Sequence, residues 1–174
     1  MTNQEYIIRE ATPNEFPKIG DLMVTVYSHL KGFPGPKESP AYYNKLKNVG
    51  ELTKDPKVKI LVAVSSNENI GGSVVYFGDM TYYGSDGTAT KAKNAAGFRL
   101  LAVDPTTRGN GIGKRLTKAC IDMAKAEKLE QVVIHSTKAM QIAWGMYEKT
   151  GFKRSEDLDF IKGDLTIYGF RLVI

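Results

Sequence analysis

The sequence predicts an α/β fold in which a mixed, mostly antiparallel sheet is flanked by about four helices. Three observations carry this. Two apolar runs, Lys59 to Ser65 and Ile70 to Phe77, flank the turn Asn67-Glu68-Asn69 and read as an antiparallel hairpin. In the second half, Phe98 to Val103 and Gln131 to Ser136 read as strands joined by a helical stretch, the pattern of a parallel crossover. No internal repeat, linker or low-complexity segment interrupts the alternation, so residues 1–174 read as a single domain.

The elements follow in order. Tyr6 to Ala11 reads as a first strand. Thr12 and Glu15 have capping-box spacing, while Pro17 fits a cap at Asn14 better. A helix then runs to about His29, with Ile19, Leu22, Met23 and Val26 on one face. Lys31 to Pro40, with Pro34, Pro36, Gly32 and Gly35, is a loop, and Ala41 to about Leu52 a second, more polar helix. The hairpin follows. Asp79 to Ala96 reads as irregular, and Phe98 to Val103 as a strand. A helix from Gly111 to about Lys128 buries Ile112, Leu116, Ala119, Cys120 and Met123 at helical spacing. Gln131 to Ser136 is a strand, Lys138 to Lys149 a helix stopped by Gly151, and Leu165 to Ile174 a final strand.

Composition narrows the function classes. Hydrophobic residues make up 42% and charged residues 25%, ordinary for a globular domain. One cysteine, Cys120, excludes an intrachain disulfide and a cysteine-based zinc site; it falls on an apolar helical stripe and reads as buried. No apolar stretch reaches the ~18 residues that span a bilayer, and Met1 to Glu10 carries no signal-peptide core, so a cytoplasmic protein that touches no membrane is expected. The net charge is +5. Lys45, Lys47, Lys54, Lys57 and Lys59 cluster, but no nucleic-acid motif accompanies them, so they read as a solvated face and no nucleic-acid partner is expected. The surplus suits a ligand with several phosphates.

The run Arg108-Gly109-Asn110-Gly111-Ile112-Gly113-Lys114-Arg115 follows the strand Phe98 to Val103 and opens a helix. Alternate glycines remove side chains that would keep a ligand off the backbone. The first amides of a helix lack intrahelical acceptors, and the helix dipole favours negative charge there. Arg108, Lys114 and Arg115 add positive charge, completing a diphosphate cradle. It is not a Walker A loop, which needs glycine at 108 and Ser or Thr at 115. Nor is it the dinucleotide fingerprint, which needs glycine at 114.

Leu101-Ala102-Val103-Asp104-Pro105 followed by Arg108-Gly109-Asn110-Gly111-Ile112-Gly113 resembles the acetyl-CoA signature of the GNAT N-acetyltransferases, Arg/Gln-x-x-Gly-x-Gly/Ala. Ala143-Trp144-Gly145-Met146-Tyr147 through Gly151-Phe152 resembles the later motif of the same family. The resemblance implies the GNAT fold, with the strands 98–103 and 131–136 splayed and the pantetheine arm of acetyl-CoA paired with backbone groups of Leu101 and Val103. It implies a cosubstrate site made by Leu101, Ala102, Val103, Arg108, Gly109, Asn110, Gly111, Ile112, Gly113 and Lys114, and no metal.

The implied reaction is transfer of the acetyl group to a primary amine of a small molecule or peptide. An ammonium has no lone pair, so the amine must lose a proton; an oxyanion must be stabilised; and a leaving thiolate must be protonated. By the resemblance, Tyr147 supplies that last proton and the Val103 amide holds the oxyanion. Without the resemblance, Tyr147 reads rather as a core tyrosine on an amphipathic helix, beside Ala143 and near Phe152. Two departures stand out. The strand 98–103 has no carboxylate to act as base, and His29, Glu38, Asp79 and His135 are weak substitutes. Position 140 is Met where many members carry an Asn for the cosubstrate arm, which leaves Ser136 or Thr137 as the hydroxyl. Tyr42, Tyr43, Tyr82 and Tyr83 are either amine-pocket or packing aromatics. A silent CoA-binding module is the alternative function, and a homodimer is left open.

Overall fold

The computed structural model describes residues 4–174. The chain packs as two compact units: residues up to Val75 with Leu100–Ala119, and Tyr76–Arg99 with Cys120–Ile174.

In the first unit, strands β1 (Tyr6–Glu10), β2 (Val58–Ser65), β3 (Ile70–Phe77, through Val75) and the end of β4 (Ala95–Val103) lie in the order β1-β2-β3-β4. β1 runs antiparallel to β2, Tyr6 opposite Ser65 and Glu10 opposite Leu61. The predicted turn closes with the Ser65 amide donating to the Asn69 carbonyl at 2.9 Å. Helix α1 (Phe16–Ser28) buries Ile19, Met23 and Tyr27. The approach to it is the Thr12 arrangement: the Thr12 amide donates to the Glu15 carboxylate at 2.8 Å, and Pro17 sits in the first turn of α1.

Helix α2 (Pro40–Lys47) is shorter than expected. At Asn48 the backbone leaves helical geometry, and Val49–Lys54 forms a tighter 3-10 stretch. Asn, Val and Gly are poor helix formers. Gly50 also lies flat against Phe16, where a Cβ would stand 2.4 Å from the ring. α1 and α2 meet backbone to backbone, since a Cβ on Gly20 would stand 2.3 Å from the Lys47 carbonyl oxygen.

In the second unit the order is β4, β5 (Gln131–Ser136), β8 (Leu165–Val173) and β6 (Lys153–Arg154), with β7 (Phe160–Lys162) on β8. β4 and β5 are parallel; β5, β6 and β7 each run antiparallel to β8. The parallel ladder pairs Ala95–Gly97 with Gln131–Val133 and goes no further. β4 thus starts three residues before the expected Phe98. Small residues hide that start: a Cβ on Gly97 would stand 2.8 Å from Met80, Tyr83 and the Val133 carbonyl oxygen. β6 and β7 are further additions; Gly163, at φ 60°, makes the short turn from β7 into β8.

Helix α3 (Ile112–Ala126) contributes to both units. Its buried residues are Ile112, Leu116, Thr117, Cys120, Ile121 and Ala124. The expected Ala119 and Met123 sit half-buried at the margin of that stripe. Helix α4 (Gln141–Thr150) begins three residues later than expected. Lys138–Met140 is a turn whose carbonyl at Lys138 is taken by the Gln141 side chain at 2.7 Å. Gly151 ends α4 in the left-handed region at φ 113°, as its position predicts.

Candidate functional site

The glycine run sits in the first unit. Its lead-in is a knot of short polar contacts: the Asp104 carboxylate accepts from the Thr106 amide and hydroxyl at 2.9 and 2.7 Å. The Thr107 hydroxyl donates to the Gly71 and Asp104 carbonyls at 3.0 and 2.9 Å. Asn110 Nδ2 donates to the Thr107 carbonyl at 2.7 Å, so this side chain fixes the shape of the loop.

Gly109 and Gly111 both adopt left-handed backbone, φ 89° and 71°. Nothing lies within 4 Å of a Cβ built on either, so both face open space. Gly113 is the second residue of α3 and does not share that conformation. Arg108, Lys114 and Arg115 are exposed, and among the described residues none of them forms a salt bridge. A surface pocket of about 500 Å³ opens beside the run, lined by Gln4, Glu5, Tyr6, Gly109, Asn110 and Arg115. An oxyanion fits this cradle: open backbone, free cations and a helix start.

Leu101, Ala102 and Val103 lead into the run on β4. Ala102 is buried and its neighbours half-buried. Leu100 adopts φ 59°, an uncommon conformation for a bulky side chain, just before this segment. The Tyr27 hydroxyl donates to the Leu101 carbonyl at 2.9 Å.

Tyr147 belongs to the second unit. Its ring meets Phe98 and Phe152 edge-on at 5.8 Å in each case, and the residue is 5% exposed. Among the described residues its hydroxyl makes no hydrogen bond. Burial pushes its pKa above the ordinary phenol value, so the proton is present at neutral pH. The Ser136 and Thr137 hydroxyls are buried and also lack partners. Buried orphan donors are uncommon and invite a ligand or an ordered water.

Comparison with known proteins places the chain in a family. Residues 23–152 match the family model of the GNAT acetyltransferases. The chain belongs to the GNAT acetyltransferase family. A GNAT acetyltransferase structure from Staphylococcus aureus Mu50 superposes with a TM-score of 0.74 at 16% identity, covering 97% of this chain and 98% of that one. The PaiA N-acetyltransferase of Thermoplasma acidophilum, solved with coenzyme A, gives 0.72 at 14% identity over 95% and 98%. These likenesses establish the GNAT fold. A mycothiol acetyltransferase of Streptosporangium roseum is 36% identical over 55 residues, 32% of this chain and 16% of that protein.

The GNAT chain lacks an obvious base. β4 carries no carboxylate. His29 is exposed and its Nδ1 contacts the Thr25 carbonyl at 2.7 Å. Glu38 is exposed, and Asp79 caps the Thr81 amide at 2.9 Å. His135 is structural: its Nε2 lies 2.8 Å from the Leu158 carbonyl and its Nδ1 3.1 Å from the Tyr83 hydroxyl. A carbonyl only accepts, so Nε2 carries the proton and Nδ1 accepts from Tyr83. Burial holds the His135 pKa below the usual imidazole value, keeping the ring neutral.

The aromatic candidates divide. Tyr43 is buried, with its hydroxyl on the Pro34 carbonyl at 2.6 Å. Tyr83 is wholly buried. Tyr42 joins a packed group with Tyr27 and Phe33, and Tyr82 is exposed. Among the described residues no group of three His, Cys, Asp or Glu could hold a metal, and no helix is long and apolar enough to cross a membrane. Three features left no sequence signal: the left-handed backbone at Leu100, the Tyr27–Leu101 bond and the contacts of Arg99 described below. Leu100 stands in an unbroken apolar run, and Tyr27 occupies an ordinary helical core position.

Proposed function

We propose that the chain is an acetyl-CoA-dependent N-acetyltransferase acting on a primary amine of a small molecule or peptide, and that residues 1–174 work as one domain. The observation that carries the reading is the pair of left-handed glycines, open to solvent, at the start of α3 beside three unpaired cations. When bound, acetyl-CoA supplies an activated acetyl thioester. Arg108, Lys114 and the free amides at the start of α3 hold its diphosphate by charge and hydrogen bonds. Gly109, Gly111 and Gly113 let the backbone approach, Asn110 fixes the loop, and Ile112 anchors the first turn of α3 in the core. Leu101 and Val103 offer backbone groups to the pantetheine arm, with Ala102 packed beneath them. The Val103 amide stabilises the developing oxyanion, and Ser136 or Thr137 donates to the arm.

Tyr147 Oη gives its proton to the departing sulfur. The raised pKa keeps the donor loaded, and the missing hydrogen-bond partner leaves the proton free for transfer. No side chain is assigned as base; the amine loses its proton to water.

A screen of amines for acetyl-dependent CoA release tests the reading, followed by Tyr147→Phe. The variant keeps the ring contacts with Phe98 and Phe152. Since the hydroxyl bonds nothing in the fold, Tm should stay put while kcat falls by about 10²–10⁴-fold. Wild-type kcat in the variant would remove the assignment. Binding of acetyl-CoA without turnover of any amine would leave the silent CoA-binding module.

A further inference from the structure

The second unit holds a guanidinium with no counterion. Arg99 lies on β4 and is half-buried. Its Nη1 donates to the Tyr83 carbonyl at 2.8 Å, and its central carbon lies 5.4 Å from the centroid of the Tyr83 ring. Among the described residues no carboxylate reaches it. Two aspartates of this unit already hold other arginines. Asp159 binds Arg154 at 2.7 Å and the Gly169 amide at 2.7 Å; Asp157 binds Arg171 at 2.8 Å.

We propose that Arg99 anchors an oxyanion, carboxylate or phosphate, carried by the amine acceptor, so that the substrates are zwitterionic or acidic amines and not polycations. The proposal rests on the acetyltransferase reading and narrows its acceptor.

The guanidinium is pre-set. Tyr83, its platform, is wholly buried, stacks edge-on against Phe77 at 5.4 Å and is tied through His135 to the Leu158 carbonyl. A guanidinium presents five donors in a planar fork, and the fold uses one of them. A fixed fork loses little freedom when an oxyanion arrives. Gly84 keeps the fork uncovered: it is exposed, at φ 76°, and a Cβ there would stand 3.3 Å from Nη1. The surroundings also repel cations. β4 has no acidic residue, and both nitrogens of His135 are committed, so neither β4 nor His135 receives a second ammonium group. An amine that brings its own anion neutralises Arg99; a diamine adds to the repulsion.

The test uses matched ligands on the full chain. N-acetyltyrosine and N-acetyltyramine differ by one carboxylate and bind without turnover, so calorimetric titration reads the contact directly. Tyrosine with tyramine, lysine with cadaverine, and serine and O-phosphoethanolamine with ethanolamine read it in CoA release. Hydrogen bonds to charged groups imply about 10- to 100-fold preference for the anionic member of each pair. Arg99→Gln should erase the preference and Arg99→Lys restore part of it, with the acetyl-CoA-induced Tm shift retained in both. The serine and phosphoethanolamine arms decide between carboxylate and phosphate. Equal binding of N-acetyltyrosine and N-acetyltyramine by the wild type, or an unchanged ratio in Arg99→Gln, overturns the proposal. Loss of the acetyl-CoA Tm shift in the wild type would instead strike the broader reading, and the N-acetyltyrosine titration would still decide the role of Arg99.

Discussion

Substituting Gly111 and Gly113 separately divides the strain of the loop from its contact with a ligand. Gly111 sits at φ 71° with nothing within 4 Å of a built Cβ, so the protein itself offers no steric objection to a side chain there. The cost of Gly111→Val is conformational: a β-branched residue in the left-handed region loses about 1–3 kcal/mol. Gly113 is an ordinary second residue of α3. Valine and glycine differ in helix propensity by only a few tenths of a kcal/mol, so Gly113→Val should leave the unliganded protein nearly as stable as wild type. A ligand at ~100 Kd adds about 2.7 kcal/mol. At about 2–4 °C per kcal/mol for a chain this size, acetyl-CoA should raise the wild-type Tm by about 5–11 °C. Both variants should lose that increment, because branched methyl groups occupy the space a diphosphate needs. Only Gly111→Val should also melt about 2–12 °C lower without ligand. Differential scanning fluorimetry with and without acetyl-CoA reads all four numbers. A full ligand-induced rise in Gly113→Val would refute the cradle.

Arg108→Ala should weaken acetyl-CoA binding at low salt, and the gap from wild type should narrow near 1 M salt, where the Debye length is ~3 Å; equal affinities at low salt would leave the work to the amides. For the Arg9–Glu15 pair the contact is 2.6 Å, and the guanidinium of Arg9 holds the Glu15 pKa down at about 2, against an ordinary 4.5. A carboxylate with a depressed folded pKa stabilises the fold above its unfolded value and loses that contribution as pH falls from about 4.5 toward 2. Glu15→Gln should therefore cost ~1 kcal/mol or less at neutral pH, since the pair is part-exposed, with the gap closing across that acid window in pH-dependent denaturation. A gap that persists at pH 2 would put the loss on packing.

Apolar patterning made much of the fold legible. The bounds of Ile70–Phe77 and Gln131–Ser136 coincide with β3 and β5, because their apolar runs end at turns. Elements with little apolar signal were not legible: the Ala-Ala-Gly start of β4, the two residues of β6 and the short β7. The α2 break at Asn48 combines poor helix formers with the packing of Gly50 on Phe16, which lies far away in sequence. The same contrast holds for the candidate site. The open, left-handed backbone at Gly109 and Gly111 was legible because it is set by local sequence. Tyr27 reaches Leu101 across 74 positions, and the Arg99 platform needs Tyr83, His135 and Leu158 together, so neither leaves a periodic trace.

The phenol of Tyr27 is a tether between α1 and the end of strand β4 before the glycine run. It occupies one lone pair of the Leu101 carbonyl. Helix α1 therefore cannot shift without changing the hydrogen bonding of the segment assigned to the pantetheine arm. A molecule that moves α1, or the Leu30–Ser39 loop packed on Tyr27 through Phe33, alters the grip on the cosubstrate. Linkage makes the effect mutual: whatever factor that molecule imposes on acetyl-CoA affinity, acetyl-CoA imposes on its binding.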